Sequence, residues 1–211
     1  DGSLWCWGLN DGGQLGLGNQ TNYSSPKQVG ALTTWKDVAN GSSQSVAVKT
    51  DGTLWTWGGN NYGQLGLGNT TSYSSPKQVG ALTNWSQVSM GYGNVSAIKT
   101  DGTLWVFGLN SQGQLGLGNL TYYSSPKQVG ALTNWSKISA GYAHTMAIKT
   151  DGTLWAWGYN YLGELRLGNR TYYSSPKQVG ALTNWSKITS GYTDSILAIK
   201  TDGTLWAWGY N

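Results

Sequence analysis

The sequence predicts an all-β chain, a β-propeller built of four-stranded antiparallel blades of about 50 residues. Three observations predict it. The decapeptide that opens at Asp1, DGSLWCWGLN, returns at Asp51, Asp101, Asp151 and Asp202, at spacings of 50, 50, 50 and 51 residues, and a fixed period of this length marks a solenoid, a propeller or another array. No repeat carries a helical apolar stripe: the apolar residues fall in short runs broken by Gly, Pro, Asn and Asp, as strands and turns do. Each period has room for four such runs, and four antiparallel strands repeated about an axis make a propeller blade. The repeats are 1–50, 51–100, 101–150 and 151–201, with 202–211 a partial fifth. Units of an array lean on their neighbours, so the 211 residues read as one domain.

Within a period, the first strand starts at a lone Trp (Trp35, Trp85, Trp135, Trp185) and runs to the glycine six residues on. The second is an apolar run such as Val46-Ala47-Val48. It pairs with Leu54-Trp55-Thr56-Trp57 around Asp51-Gly52, an Asp-Gly step that suits a two-residue hairpin turn with positive φ values. Side chains of this third strand alternate, so Trp55 and Trp57 share one face and Leu54 and Thr56 the other. The Thr56 position is Cys6, Val106, Ala156 and Ala207 elsewhere, always small, so the bulky face of one unit can meet a shallow face on the next. A Gly-rich loop, NNYGQLGLGN, leads to the fourth strand around Pro-Lys-Gln-Val. Its proline fits only an edge or a strand start, hence the outermost place in the blade.

The motif WG-x-N-x-x-GQLGLG, followed about 30 residues later by GY-x-x-x-x-AIK-x-DG, resembles the regulator of chromosome condensation repeat over essentially the whole chain. The resemblance implies a ring of seven such blades. Four periods and a ten-residue remainder do not complete one, so the chain is expected to be part of a larger ring, cut inside the Asp-Gly turn. It would then begin with the third and fourth strands of one blade and end with the first three of another. The fourth copy departs from the motif, with GELRLG in place of GQLGLG, and Arg166 in a glycine position puts the tight loop conformation in question.

The composition excludes several function classes. Charged residues are 10% of the chain, with 32 Gly and 13 Trp, which is not the composition of a disordered segment. No apolar run is long enough for a membrane-spanning helix, so no membrane insertion is expected. The net charge of +4 is carried largely by Lys at fixed places in the period (27, 77, 127, 177 and 49, 99, 149, 200), which should be solvated and spread around the array. Nucleic acid is therefore not the expected partner. One His, one Cys and one Glu (His144, Cys6, Glu164) give neither a catalytic dyad nor a metal-ligand cluster, and no cofactor is expected. The reading is of a non-enzymatic chain. GQLGLGN lacks the Lys-Ser/Thr ending and the helix of a phosphate loop, and reads as a structural loop. Sequons at Asn19, Asn69, Asn119 and Asn169 and at Asn84, Asn134 and Asn184 follow from composition.

The copies differ from one another in two windows. One begins at Ser42, Tyr92, Tyr142 and Tyr192 and holds Asn94, His144 and Asp194, with His144 expected at the surface. The other begins at Leu9, Gly59, Leu109 and Tyr159 and holds Asn61, Tyr62, Gln112, Tyr161 and Leu162. With strands running alternately up and down, the windows are the turn between strands one and two and the loop between three and four, on one side of the sheets. The opposite side carries the Asp-Gly turn and GALTNW, nearly unchanged. Loops on a rigid scaffold carry function, and Tyr, Asn, Gln and His make adaptable contacts. The variable side is therefore the expected binding face for a protein partner, for a surface glycan, or for other subunits of an assembly. Near-identical copies resemble those of bacterial and viral surface or virion proteins, which implies an extracellular or virion location and a structural or attachment role. A glycan-binding propeller is the alternative, although Ser42 breaks its tyrosine series. Guanine-nucleotide exchange on a small GTPase, known in the family, is the second; it depends there on a blade-specific insertion, and these copies differ in length by one residue.

Overall fold

A computed structural model describes residues 1–191 and 195–209. The first sheet pairs β1 (Trp5–Gly8) with β2 (Tyr23–Gln28). Three four-stranded antiparallel meanders follow: β3 (Trp35–Asn40), β4 (Gln44–Lys49), β5 (Leu54–Gly58) and β6 (Tyr73–Gln78); β7 (Trp85–Met90), β8 (Asn94–Lys99), β9 (Leu104–Gly108) and β10 (Tyr123–Gln128); β11 (Trp135–Ala140), β12 (His144–Lys149), β13 (Leu154–Gly158) and β14 (Tyr173–Gln178). The last sheet holds β15 (Trp185–Ser190), β16 (Ser195–Lys200) and β17 (Leu205–Gly209). The first strands touch in series, β3 on β7, β7 on β11 and β11 on β15, so these strands are the inner ones. Side chains fasten them: Asp37 accepts from the Val88 amide (3.0 Å), Ser89 from Ala140 (2.9 Å) and Ser139 from Ser190 (2.7 Å).

The core lies between the sheets. Val46, Val48 and Leu54 of one sheet share a cluster with Trp85, Val88, Val95 and Phe107 of the next. Ile98, Leu104 and Val106 do the same with Trp135, Ala147 and Trp157. The alternation expected of the third strand is realised. Thr56, Val106 and Ala156 are fully buried on one face, while the large ring at 57, 107 and 157 packs on the preceding sheet. Trp57 donates its indole N–H to the Gln14 carbonyl (2.8 Å) and Trp157 to that of Gln114 (2.9 Å), each in the preceding repeat's Gly-rich loop.

That loop joins one repeat to the next. Gly18, Gly68 and Gly118 donate their amides to Ser74, Ser124 and Ser174 of the following outer strand at 2.7–2.8 Å. Inside it, fully buried Asn60 accepts from the Leu65 amide and donates to the Asn69 and Thr71 carbonyls, an arrangement repeated at Asn10, Asn110 and Asn160. Gly116 has φ +71°, and a Cβ there would lie 2.7 Å from Trp157 Nε1. Arg166 nevertheless takes the equivalent left-handed conformation (φ 54°), and the Leu165 amide still reaches Asn160. The tight loop therefore survives the substitution.

Two expectations need correction. The Asp-Gly turn is not a two-residue turn. Gly52 donates to the Lys49 carbonyl (2.9 Å) and Lys49 to that of Thr53 (3.0 Å), so Thr50, Asp51 and Gly52 form a three-residue loop in which only Gly52 has positive φ (+77°), the turn-plus-bulge alternative for a hairpin. The Asp serves its carboxylate instead. Oδ1 accepts from the Thr53 hydroxyl (2.6 Å) and amide (2.9 Å), and Thr53 Oγ1 accepts from Trp55 Nε1 (2.8 Å). These bonds, the hydroxyl's above all, hold the carboxyl below its ordinary range, as at Asp101, Asp151 and Asp202.

The second correction concerns the lysines. Lys27, Lys77, Lys127 and Lys177 are exposed as expected, but Lys49, Lys99 and Lys149 are buried at 6–7% exposure. Each ammonium lies over two indoles, Lys99 at 3.7 Å from the Trp105 centroid and 4.8 Å from that of Trp85. Desolvation lowers these lysine pKa values. Attraction to the indole faces offsets the cost of burying the charge.

Candidate protein-interaction face

The two variable windows meet. Gly59 donates to the Ser43 carbonyl (2.7 Å), Leu109 to that of Gly93 (2.8 Å) and Tyr159 to that of Ala143 (2.9 Å), so each loop after a third strand is tied to the turn after the first strand of its own sheet. Neighbouring turns also crowd one another: a Cβ on Gly91 would overlap the Gly141 carbonyl. The windows of successive repeats thus form one continuous surface at one end of the sheets.

The residues expected there divide in two. Asn61, Tyr161 (58% exposed), Leu162 (37%) and Tyr142 (39%) are open to solvent, and Tyr62, Tyr92 and Gln112 are half-buried. Asn94 and His144 are fully buried beneath the turns, so the expectation of His144 at the surface is corrected. At this position Gln44 shows the structural use of such a side chain: its Nε2 donates to the Tyr92 carbonyl (2.6 Å) and its Oε1 accepts from Ser43, linking one turn to the next. Asn94 is placed alike, though neither of its side-chain polar atoms has a hydrogen-bond partner among the described residues. Tyr192 and Asp194 lie outside the described residues.

Aromatic pairing organises the surface. Tyr92 and Tyr142 of adjacent repeats contact each other with tilted rings, 5.1 Å between centroids. Tyr62 meets Tyr122 edge-on at 5.9 Å, and Tyr159 contacts Tyr161 (6.4 Å) and Tyr172 (4.9 Å). Tyr122 and Tyr172 escaped the sequence reading. Their position is Asn22, Ser72, Tyr122 and Tyr172 in successive copies, a variation visible in the sequence two residues after that at Gln20, Thr70, Leu120 and Arg170. Asn22 and Ser72 cap the third-to-fourth-strand loop by accepting from the Asn10 and Asn60 amides, whereas the two tyrosines enlarge the aromatic patch. Among the described residues no group of three or more His, Cys, Asp or Glu could hold a metal, and no helix is long and apolar enough to cross a membrane.

A family model for the regulator of chromosome condensation (RCC1) repeat matches residues 1–48, 51–98, 101–148 and 151–197, and a second of the same description matches 35–64, 85–114 and 135–164. Among solved structures, human WBSCR16 is similar at 22% identity and TM-score 0.85, over 100% of this chain and 58% of that one. Prp20p of Saccharomyces cerevisiae, described with its binding properties to Gsp1p and histones, is similar at 21% identity and TM-score 0.79, over 98% and 53%. Yeast RCC1 (Prp20) bound to Kap60 gives 20% identity and TM-score 0.79, over 98% and 52%. The chain thus spans a little over half the length of these structures. They overturn the extracellular or virion location implied by the near-identical copies: the similar yeast structures are described with Kap60, Gsp1p and histones. Near-identity of copies carries no information on compartment.

Proposed function

Because the chain belongs to the regulator of chromosome condensation (RCC1) repeat family, we propose that it is a non-enzymatic protein-interaction module that binds its partner on the tyrosine-rich variable face. One observation carries this reading. Four repeats that are nearly identical elsewhere differ at loops that the fold gathers on one side, where Tyr142, Tyr161 and Leu162 stay exposed. Tyrosine on a rigid loop contributes large contact area with little ordering entropy.

The likeness to Prp20p, described with Gsp1p binding, favours a small GTPase as the partner and nucleotide exchange on it as the role, ahead of an attachment role at a surface. A positively charged chain does not suit histones, which are themselves basic. A surface glycan is favoured less, because the tyrosine series breaks at Ser42. Calorimetric titration of small GTPases into the chain tests the reading. Tyr142→Ala with Tyr161→Ala should weaken the complex by roughly 10- to 100-fold if both rings are central anchors. A complex indifferent to both substitutions removes the proposed face.

A further inference from the structure

Leu32, Leu82, Leu132 and Leu182 are 44–49% exposed, yet all four copies keep them, at the end of the sheets opposite the variable loops. Folding alone gives little reason to hold a large apolar side chain in water at four equivalent places. Beside the first three, equivalent cavities of about 410, 440 and 410 Å³ open between consecutive sheets, a size typical of ligand sites. Each is lined by an indole pair: Trp35 and Trp55, Trp85 and Trp105, Trp135 and Trp155.

Gly16, Gly66 and Gly116 form part of the wall of these cavities. In the fourth repeat the same position is Arg166. Its guanidinium carbon lies 5.6 Å from the Trp185 centroid and 4.9 Å from that of Trp206, the pair equivalent to those lining the cavities, and 5.1 Å from that of Trp208. These are cation–π distances. Lys200 remains over the same two rings at 5.2 and 4.2 Å, so the repeated lysine and a guanidinium are accommodated together. A guanidinium is planar and weakly hydrated and stacks on an indole as an ammonium does not.

We propose that the three cavities each take an arginine side chain from a partner protein, its guanidinium in cation–π contact with the indole pair as that of Arg166 is in the fourth repeat. The exposed leucine at each rim then covers the aliphatic part of the incoming side chain. This site is separate from the tyrosine-rich face and does not rest on it.

The test titrates N-acetyl-arginine methylamide into the 211-residue chain and follows the indole N–H resonances by NMR, with N-acetyl-lysine methylamide and methyl β-glucoside as comparators. The arginine probe should shift the signals of the three lining pairs saturably, at concentrations about tenfold below those the lysine probe needs. Leu132→Ala, at an exposed position, should weaken the response of Trp135 and Trp155 several-fold and leave the other pairs unchanged. Arg166→Gly should bring Trp185 and Trp206 into the response. No saturable shift, an equal response to the lysine probe, or a response to the glucoside alone overturns the assignment.

Discussion

Thr53, Thr103 and Thr153 each take an indole N–H and give a hydroxyl proton to the Asp two residues back. This relay accounts for the recurrence of Asp-Gly-Thr-Leu-Trp at single-atom level. Thr103→Val, which removes the acceptor and the donor together, should cost about 1–2 kcal/mol, read as a lower urea midpoint with unchanged slope. The pH dependence follows from the lowered carboxyl pKa values of Asp51, Asp101, Asp151 and Asp202. Stabilisation from a depressed carboxylate is fully present above its unfolded pKa, near 4 by ordinary values, and is lost as pH falls through the folded one. The chain should therefore lose stability below about pH 4, and Thr103→Val should lose less of it there than the parent. At this scale the sequence was only partly legible. Periodicity placed Lys99 and His144, but burial of one under two indoles and of the other beneath a turn depends on side chains from elements distant in sequence.

At the scale of an element, the Gly-rich loop is where local and long-range demands coincide. Gly116 is held at φ +71° and faces Trp157, so Gly116→Ala combines backbone strain with a clash. It should destabilise by roughly 2–4 kcal/mol, measurable as a thermal shift. Arg166→Gly runs the other way and releases left-handed strain of about 1–2 kcal/mol, while removing cation–π contact with Trp206 and Trp208 of a similar size, about 0.5–2 kcal/mol. The net change should be within about 1 kcal/mol. The same site shows how the copies adapt. Phe107 replaces the indole and Val95 replaces the hydroxyl of Ser45 or Thr145, so both side-chain donors that other repeats aim at the Gln14 or Gln114 carbonyl are exchanged together. The strands were legible because period-two alternation and the proline position fix them. The hairpin loop was not, because Asp-Gly serves two-residue and three-residue turns alike.

In the whole molecule, stability is a sum of sheet-to-sheet interfaces, since each unit contacts only its neighbours. In the 211-residue chain the two-stranded first sheet exposes Trp5 and Trp7, at 51% and 60%, and the last exposes Leu205 at 65%. Amide exchange should accordingly be fastest in β1, β2 and β17 and slowest in β8, β9 and β12. The division of the molecule into a variable end and a constant end was readable from four internal copies, because strand alternation maps every loop to one side or the other. The partner was not readable, since loop chemistry names a class of contact and not a molecule. The most direct test of the variable end as the binding face is a hydrogen-exchange footprint of the chain with and without a small GTPase that binds it. The account predicts slowed exchange at 91–93, 141–143 and 159–162 with the Asp-Gly loops unchanged. Protection confined to the Asp-Gly loops and the Leu82 and Leu132 rim would contradict it.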